Sequence, residues 1–125
     1  MGMALRCVGY DVVLVREIQA FHGQSSVTDQ QLIPWMSDHD AIWIHADDNA
    51  KRQHRKLLVA HQVRTLWVRR SKKRGMSNRE QLRVLSYVLP DLFARFNKQP
   101  GNRHHSVRVH GEVHKTRIRL EPYRL

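Results

Sequence analysis

The feature that most restricts the fold is a short apolar run that recurs three times, each time followed by a segment of helical pattern. The three runs, at residues 10–15, 41–45 and 63–68, are predicted to be strands. They are rich in β-branched and aromatic residues, which is typical of strands covered on both faces. Strands that alternate with helices in this way favour an α/β fold with a mostly parallel sheet.

The first two helices are predicted from their ends. Residues 2–8 have the pattern of the last turns of a helix, and Gly9 is a suitable C-terminal stop. The spacing of Thr28 to Gln31 is that of a capping box, which predicts that a second helix begins there. Pro34 would cost about 3 kcal/mol deep inside a helix, so this helix is predicted to be short or kinked.

Two further helices follow the second and third runs. Asp48 or Asn49 can cap a helix that continues with basic residues on its outer side. Ser77 begins a second capping box and opens a longer helix to about Asn97, which Pro90 is expected to bend. The helices therefore fall between the predicted strands, as a parallel sheet requires.

The chain of 125 residues is predicted to form a single domain. Its α/β core spans residues 1–98, and a tail at 99–125 begins where Gln99-Pro100-Gly101-Asn102 breaks the helical pattern. Within the tail, residues 106–110 and 113–120 alternate apolar and polar side chains, which predicts a β-hairpin at an antiparallel edge.

The net charge of +11 is distributed very unevenly along the chain. Residues 1–50 carry two Lys or Arg against seven acids, whereas residues 51–125 carry twenty against four. A basic half of this strength favours a polyanionic partner, most often nucleic acid. No apolar run approaches the ~20 residues of a membrane span. Cys7 is the only cysteine, so a reducing cytoplasm is the expected location.

Four acids are predicted to lie where ligands bind to such sheets, beyond the carboxyl ends of the strands. They are Glu17, Asp29, Asp47 and Asp48. Local spacing explains Asp29 and Asp48 equally well as residues that only begin helices, because the helix dipole favours acids there. However, several acids brought together at one edge would form an oxygen-rich pocket, which predicts a binding site for Mg²⁺ or Mn²⁺.

Three segments together resemble a known family. Tyr10 to Glu17, Val27 to Gln31 and Ile42 to Asp47 are similar to the motifs of PIN-like domains, in particular the small bacterial ribonuclease toxins of the VapC type and their relatives. The resemblance implies a three-layer PIN-like sandwich and a divalent-metal-dependent endoribonuclease. It also implies the toxin half of a toxin–antitoxin pair, blocked by an acidic antitoxin protein. A homodimer is left open.

Carried over by motif, Asp29 resembles the acid at the helix start and Asp47 the acid at the strand end. Asp48 is expected to bind the metal, to hydrogen-bond a ligand water or to cap the helix. Glu17 is the fourth expected ligand, with a solvated strand end as the alternative. The family normally begins with a strand that carries a further Asp, and no counterpart is visible before Gly9. A catalytically degenerate, nucleic-acid-binding member is therefore the alternative function.

Two groups of basic residues are expected to contact RNA phosphates, which give affinity but little sequence choice. The groups are Lys51, Arg52, Arg55 and Lys56, followed by Arg69, Arg70, Lys72, Lys73 and Arg74. The alternatives are a solvated helix face and a flexible loop. Trp43 and Trp67 are predicted to belong to the core rather than to stack on bases.

Two other functions are left open by the sequence. Nine histidines allow metal-independent RNA cleavage by general acid–base catalysis, although none has the usual spacing of a zinc site. A structural protein whose basic face binds an acidic partner is the third hypothesis.

Overall fold

The computed structural model describes residues 5–6, 9–69, 77–109 and 118–125. The elements are α1 (Asp29–Asp38), β1 (Ile42–His45), α2 (Ala50–Gln53), α3 (Arg55–His61), β2 (Arg64–Val68), α4 (Asn78–Lys98), β3 (His104–Val109) and β4 (Ile118–Pro122). Two short turns of 3₁₀ helix precede them, at Val15–Glu17 and Gln19–Phe21.

The four strands form one sheet in the order β1-β2-β3-β4. β1 pairs with β2 and β2 with β3 in parallel, whereas β4 pairs with β3 antiparallel. Helices α2 and α3 connect the first parallel pair, and α4 connects the second. The predicted α/β class, the mostly parallel sheet and the antiparallel C-terminal pairing are therefore confirmed. Residues 110–117, which include the predicted start of the last strand, lie outside the described part of the chain.

Two apolar clusters hold the helices against the sheet. The larger one joins the buried face of α4 to Leu66 and Val68 of β2 and to Val107 of β3. The smaller one joins α1 and α3 to Trp43 of β1. Leu92 on α4 is completely buried, and truncating such a leucine costs about 2–5 kcal/mol.

Both predicted capping boxes are present. The Thr28 hydroxyl accepts a hydrogen bond from the Gln31 backbone N–H, and Ser77 does the same for Glu80. Helix α1 is short, as predicted, with ten residues that include Pro34. Two residues beyond its end, Asp40 has a left-handed backbone with φ 50°. The Ala41 N–H then reaches back to the Met36 carbonyl at 2.9 Å and satisfies one of the last carbonyls of the helix.

The predicted helix after Asp48 is divided into two. It is interrupted at His54, whose φ of −116° and ψ of 17° depart from helical values. The His54 imidazole is 6% exposed and lies against α1. A tertiary contact therefore interrupts a segment whose local pattern is helical throughout.

The prediction of a strand at residues 10–15 is wrong. In the described chain, residues 10–14 pair with no strand, and a 3₁₀ turn begins at Val15. Tyr10 and Val12 pack on the larger cluster, while Val13 and Val15 are 53% and 42% exposed, so only one side of the segment is covered. A groove of about 830 Å³ is lined by this segment and by β1. The segment has the apolar composition of a buried strand, but it forms no strand pairing within the described chain.

The predicted stop of the first helix is confirmed. Gly9 has a φ of 101°, which is readily adopted only by glycine, and its N–H bonds to the Arg6 carbonyl at 3.1 Å. Leu5 and Arg6 are helical, and the remainder of the predicted helix lies outside the described residues. No helix in the described ranges is long and apolar enough to cross a membrane.

Candidate functional site

Asp29 is placed by the capping box at Thr28, in the first turn of α1. Its Oδ2 lies 2.9 Å from Nε2 of His54, at the junction of α2 and α3. The His54 side chain is almost fully buried, and its Nδ1 has no hydrogen-bond partner within the described ranges. The Asp29 side chain is 35% exposed, so it remains in contact with solvent. This pair connects the start of α1 to the helices that follow β1.

Asp47 follows the last residue of β1 and organises the turn into α2. Its backbone N–H donates to Nδ1 of His45 at 3.2 Å, and its Oδ1 accepts from the Asn49 N–H at 2.9 Å. Asn49 makes no side-chain cap. The predicted capping by Asp48 or Asn49 is therefore wrong, and the Asp47 carboxylate instead closes the turn before α2 by accepting from the backbone two residues further on.

Asp48 points towards the neighbouring strand. Its Oδ1 accepts a hydrogen bond of 3.1 Å from the indole Nε1–H of Trp67. The carboxylate therefore fixes the orientation of the indole ring on β2. It remains exposed to solvent, as does the carboxylate of Asp47.

His45 lies among these three acids. Burial lowers the pKa of its imidazole, and the charges of Asp47, Asp29 and Asp48 oppose that effect. All three carboxylates thus act on one side chain at the carboxyl end of β1. Asp47 and Asp48 therefore lie at the carboxyl end of β1, and the contact with His54 ties Asp29 to the helices that follow this strand. His45 stands two residues before Asp47 in the sequence, and no local pattern identifies His54.

Glu17 has a different environment. Its carboxylate is paired with the Arg6 guanidinium, with Nη1 3.2 Å from Oε2, and its Oε1 also accepts from the Leu14 N–H. These contacts, the Arg6 hydrogen bond first, lower the pKa of Glu17 to about 2. The predicted fourth ligand therefore closes the turn after the extended segment instead of joining the three aspartates around His45.

The chemistry of the edge suits a hard divalent cation, but the observed side-chain positions do not form a coordination shell. Mg²⁺ requires oxygen ligands at 2.0–2.1 Å in near-octahedral geometry. No group of three or more His, Cys, Asp or Glu side chains within residues 5–6, 9–69, 77–109 and 118–125 is arranged to hold a metal ion. Asp29, Asp47 and Asp48 each make a different protein contact, so metal binding would require these carboxylates to turn.

The basic residues of α2 and α3 follow the acids directly in the chain. Arg52, Arg55 and Lys56 are exposed, and Lys51 is half-buried with its Nζ 5.4 Å from the centre of the Tyr123 ring. Arg69 is described and lies over Trp67, with its guanidinium carbon 4.5 Å from the ring centre. The other predicted phosphate contacts, Arg70, Lys72, Lys73 and Arg74, lie outside the described residues.

The two tryptophans expected in the core differ. Trp43 is 9% exposed and belongs to the smaller cluster, so its prediction is confirmed. Trp67 is only half-buried, and its ring contacts Arg69 and the edge of Tyr123. The prediction that Trp67 is a core residue is wrong, because its side chain is half-buried and belongs to neither apolar cluster.

The described histidines of the tail are held within the sheet. Nδ1 of His104 lies 2.9 Å from the Thr65 hydroxyl, and burial, together with the charges of Arg103 and His105, lowers its pKa to about 4. His105 is 2% exposed and lies edge-on to Phe96 of α4. Their geometry indicates packing roles in β3.

No protein-family model matches the sequence, and comparisons with curated proteins and with solved structures gave no match.

Proposed function

We propose that this protein acts on RNA as a divalent-metal-dependent endoribonuclease of the PIN-like type. The observation that carries the proposal is the position of the basic residues relative to the acids. The chain passes from Asp47 and Asp48 straight into α2 and α3, whose exposed side includes Arg52, Arg55 and Lys56. An RNA held on this basic surface would bring a phosphodiester close to the acidic edge.

The chemistry at that edge is metal-assisted hydrolysis. Mg²⁺ or Mn²⁺ bound by Asp29, Asp47 and Asp48 would supply an activated water and stabilise negative charge on the phosphate. His45 lies among the three carboxylates, and burial favours its neutral form. His54 holds Asp29 in place from the buried side. Glu17 is left out of the proposed ligand set because Arg6 already neutralises it.

The partners follow from the same charge distribution. A basic surface next to the acidic edge suits an acidic antitoxin segment that competes with RNA, as the resemblance to VapC-type toxins implies. The three-layer PIN-like arrangement, a homodimer and a cytoplasmic location belong to the same proposal.

A specific observation favours a second function, RNA binding without cleavage. Each proposed ligand has a protein partner in the structure, with His54 for Asp29, Asn49 for Asp47 and Trp67 for Asp48. A degenerate PIN-like protein would keep the basic surface and use these carboxylates only to hold α1, α2 and β2 together.

A calorimetric titration with Mg²⁺ and Mn²⁺ separates the two functions. Asp47→Asn is the best variant, because the amide oxygen can still accept from the Asn49 N–H while the charge is lost. Saturable uptake by the wild type that is weakened at least tenfold in Asp47→Asn supports the nuclease. No uptake by a wild type that still binds RNA supports the second function.

RNA binding is tested by charge removal on α2 and α3. The combined change of Arg52, Arg55 and Lys56 to Gln should reduce the slope of log K against log salt by about 2, since each phosphate contact of a single strand contributes about 0.7. The matched control is the combined change of Arg79, Arg83 and Lys98 to Gln, three exposed positions on α4. An equal loss in both variants would mean that binding follows net charge alone and not this surface.

A further inference from the structure

One face of β2, β3 and β4 differs sharply from the face that packs on α4. Leu66 and Val68 belong to the larger apolar cluster. Because side chains alternate along a strand, Thr65, Trp67 and Arg69 lie on the other face. Trp67 is half-buried and belongs to neither of the two apolar clusters.

Strand register aligns basic residues across this face. Arg108 of β3 pairs directly with Arg119 of β4. The Arg69 N–H donates to the Val107 carbonyl at 2.9 Å, which continues the β2–β3 ladder by one step and places Arg69 beside Arg108. Three arginines therefore form one row across three strands. Guanidinium groups aligned in this way suit contacts with successive phosphates of one strand.

Aromatic rings lie next to this row and are held in fixed positions. The Trp67 indole donates to Asp48, carries the Arg69 guanidinium at 4.5 Å on its face and meets the edge of Tyr123 at 5.8 Å between ring centres. The Tyr123 hydroxyl lies 3.0 Å from the Thr65 hydroxyl, and Lys51 lies over its ring. Stacked planar groups with cations beside them are what single-stranded nucleic acid binds.

We propose that this face, defined by Trp67, Arg69, Arg108, Arg119 and Tyr123, is a binding site for single-stranded RNA. An unpaired base stacks on the Arg69–Trp67 pair, and the adjacent phosphates contact the arginine row. The inference rests on the proposed function, since Asp48 both holds the Trp67 indole and belongs to the proposed catalytic edge. The site therefore specifies the substrate as unpaired RNA that crosses the sheet face beside the acids.

Two probes distinguish base stacking from simple charge attraction. They are a short oligouridylate and an abasic strand with the same number of phosphates, each titrated into the full chain in EDTA so that cleavage does not interfere. We expect the wild type to bind the oligouridylate about 5–20 times more tightly than the abasic strand. This factor is in the lower part of the range for aromatic stacking, because the Arg69 guanidinium already covers one face of the Trp67 indole.

Trp67→Leu should abolish that preference, and Trp67→Phe should retain most of it. The matched control is Trp35→Leu, because Trp35 is another half-buried tryptophan. It lies in α1, and its ring stacks on that of His39, just after the helix, with 4.1 Å between the ring centres. Arg108→Gln, at an exposed position, should lower the salt slope for both probes by about 0.7 without changing their ratio. This exposed variant tests the row even where a tryptophan variant fails to fold.

Equal affinity of the wild type for the two probes would overturn the proposal, as would an equal loss of preference in Trp35→Leu and Trp67→Leu. Displacement of the oligouridylate by polyglutamate as effectively as by the abasic strand, with no base preference, would instead assign the face to an acidic protein. Base preference without any Mg²⁺-dependent cleavage would refute only the nuclease. Cleavage without base preference would refute only this site.

Discussion

Replacing Asp29 by alanine should destabilise the protein by an amount that follows from its contact with His54. The two side chains meet at 2.9 Å, and the imidazole is 6% exposed. Nδ1 of that ring has no partner in the described chain, so Asp29→Ala leaves both buried nitrogens unsatisfied. Such a loss costs about 1–3 kcal/mol. Removing an acid from the first turn of α1 adds about 0.3–1 kcal/mol.

The expected loss in free energy of unfolding is therefore about 1.3–4 kcal/mol. For 125 residues, an unfolding entropy of about 2.1 cal/mol/K per residue corresponds to roughly 4 °C per kcal/mol, so the Tm should fall by about 5–15 °C. Asp29→Asn keeps a hydrogen-bonding group opposite His54 and should lose less than half as much. It is also the variant that removes the charge needed for a metal while keeping the fold.

The assay is thermal and urea unfolding followed by circular dichroism, with Asp38→Ala as the control. Asp38 is the last residue of the same helix, where an acid opposes the helix dipole, and its removal should change stability by less than about 0.5 kcal/mol. If Asp29→Ala is no more destabilising than Asp38→Ala, the pair with His54 does not hold α1 to the α2–α3 junction.

Three further predictions concern the fold. Gln62 ends α3 with a φ of 52°, so Gln62→Gly should raise the free energy of unfolding by about 0.5–1 kcal/mol in urea titrations, and a decrease would argue against this backbone conformation. Val13 is 53% exposed, so Val13→Thr should change the free energy of unfolding by less than about 0.5 kcal/mol. Leu92 is fully buried, and Leu92→Ala should lower it by about 2–5 kcal/mol. Similar losses in the two variants would mean that the segment before the 3₁₀ turn is packed on both sides. Burial is the main reason why the pKa of His104 is about 4 in the folded chain, compared with 6.5 ordinarily. As the pH falls, the unfolded chain is therefore protonated at this residue before the folded chain. The free energy of unfolding should consequently decrease between about pH 7 and pH 4. His104→Asn, which can keep the contact with Thr65, should flatten that dependence, and an unchanged slope would contradict the assignment.

The parts of the fold that sequence predicted are those set by neighbouring residues. The capping boxes at Thr28 and Ser77 need only residues three positions apart, and the strand at 64–68 has its own apolar pattern. The failed strand at residues 10–15 has a similar local pattern. Its pairing depends on a second strand alongside, and that information is not contained in the segment itself.

The sequence predicts where two of the acids lie but not what they contact. Asp47 and Asp48 directly follow a predicted strand, which places them at its carboxyl end, whereas the predicted place of Asp29 depended on a strand at residues 10–15 that does not form in the described chain. Their partners are distant in sequence, with His54 25 residues from Asp29 and Trp67 19 residues from Asp48. The partner of Glu17, Arg6, lies 11 residues earlier in the chain, so the local pattern around Glu17 does not indicate their contact.

The central claim, that RNA is cut at the acidic edge, is tested most directly by single-turnover cleavage of an end-labelled RNA in Mg²⁺. The account predicts cleavage by the wild type that stops in EDTA and falls at least a hundredfold in Asp47→Asn, while RNA affinity stays within about threefold because the basic surface is intact. Equal cleavage by wild type and Asp47→Asn, or no cleavage by a wild type that binds RNA tightly, would contradict it.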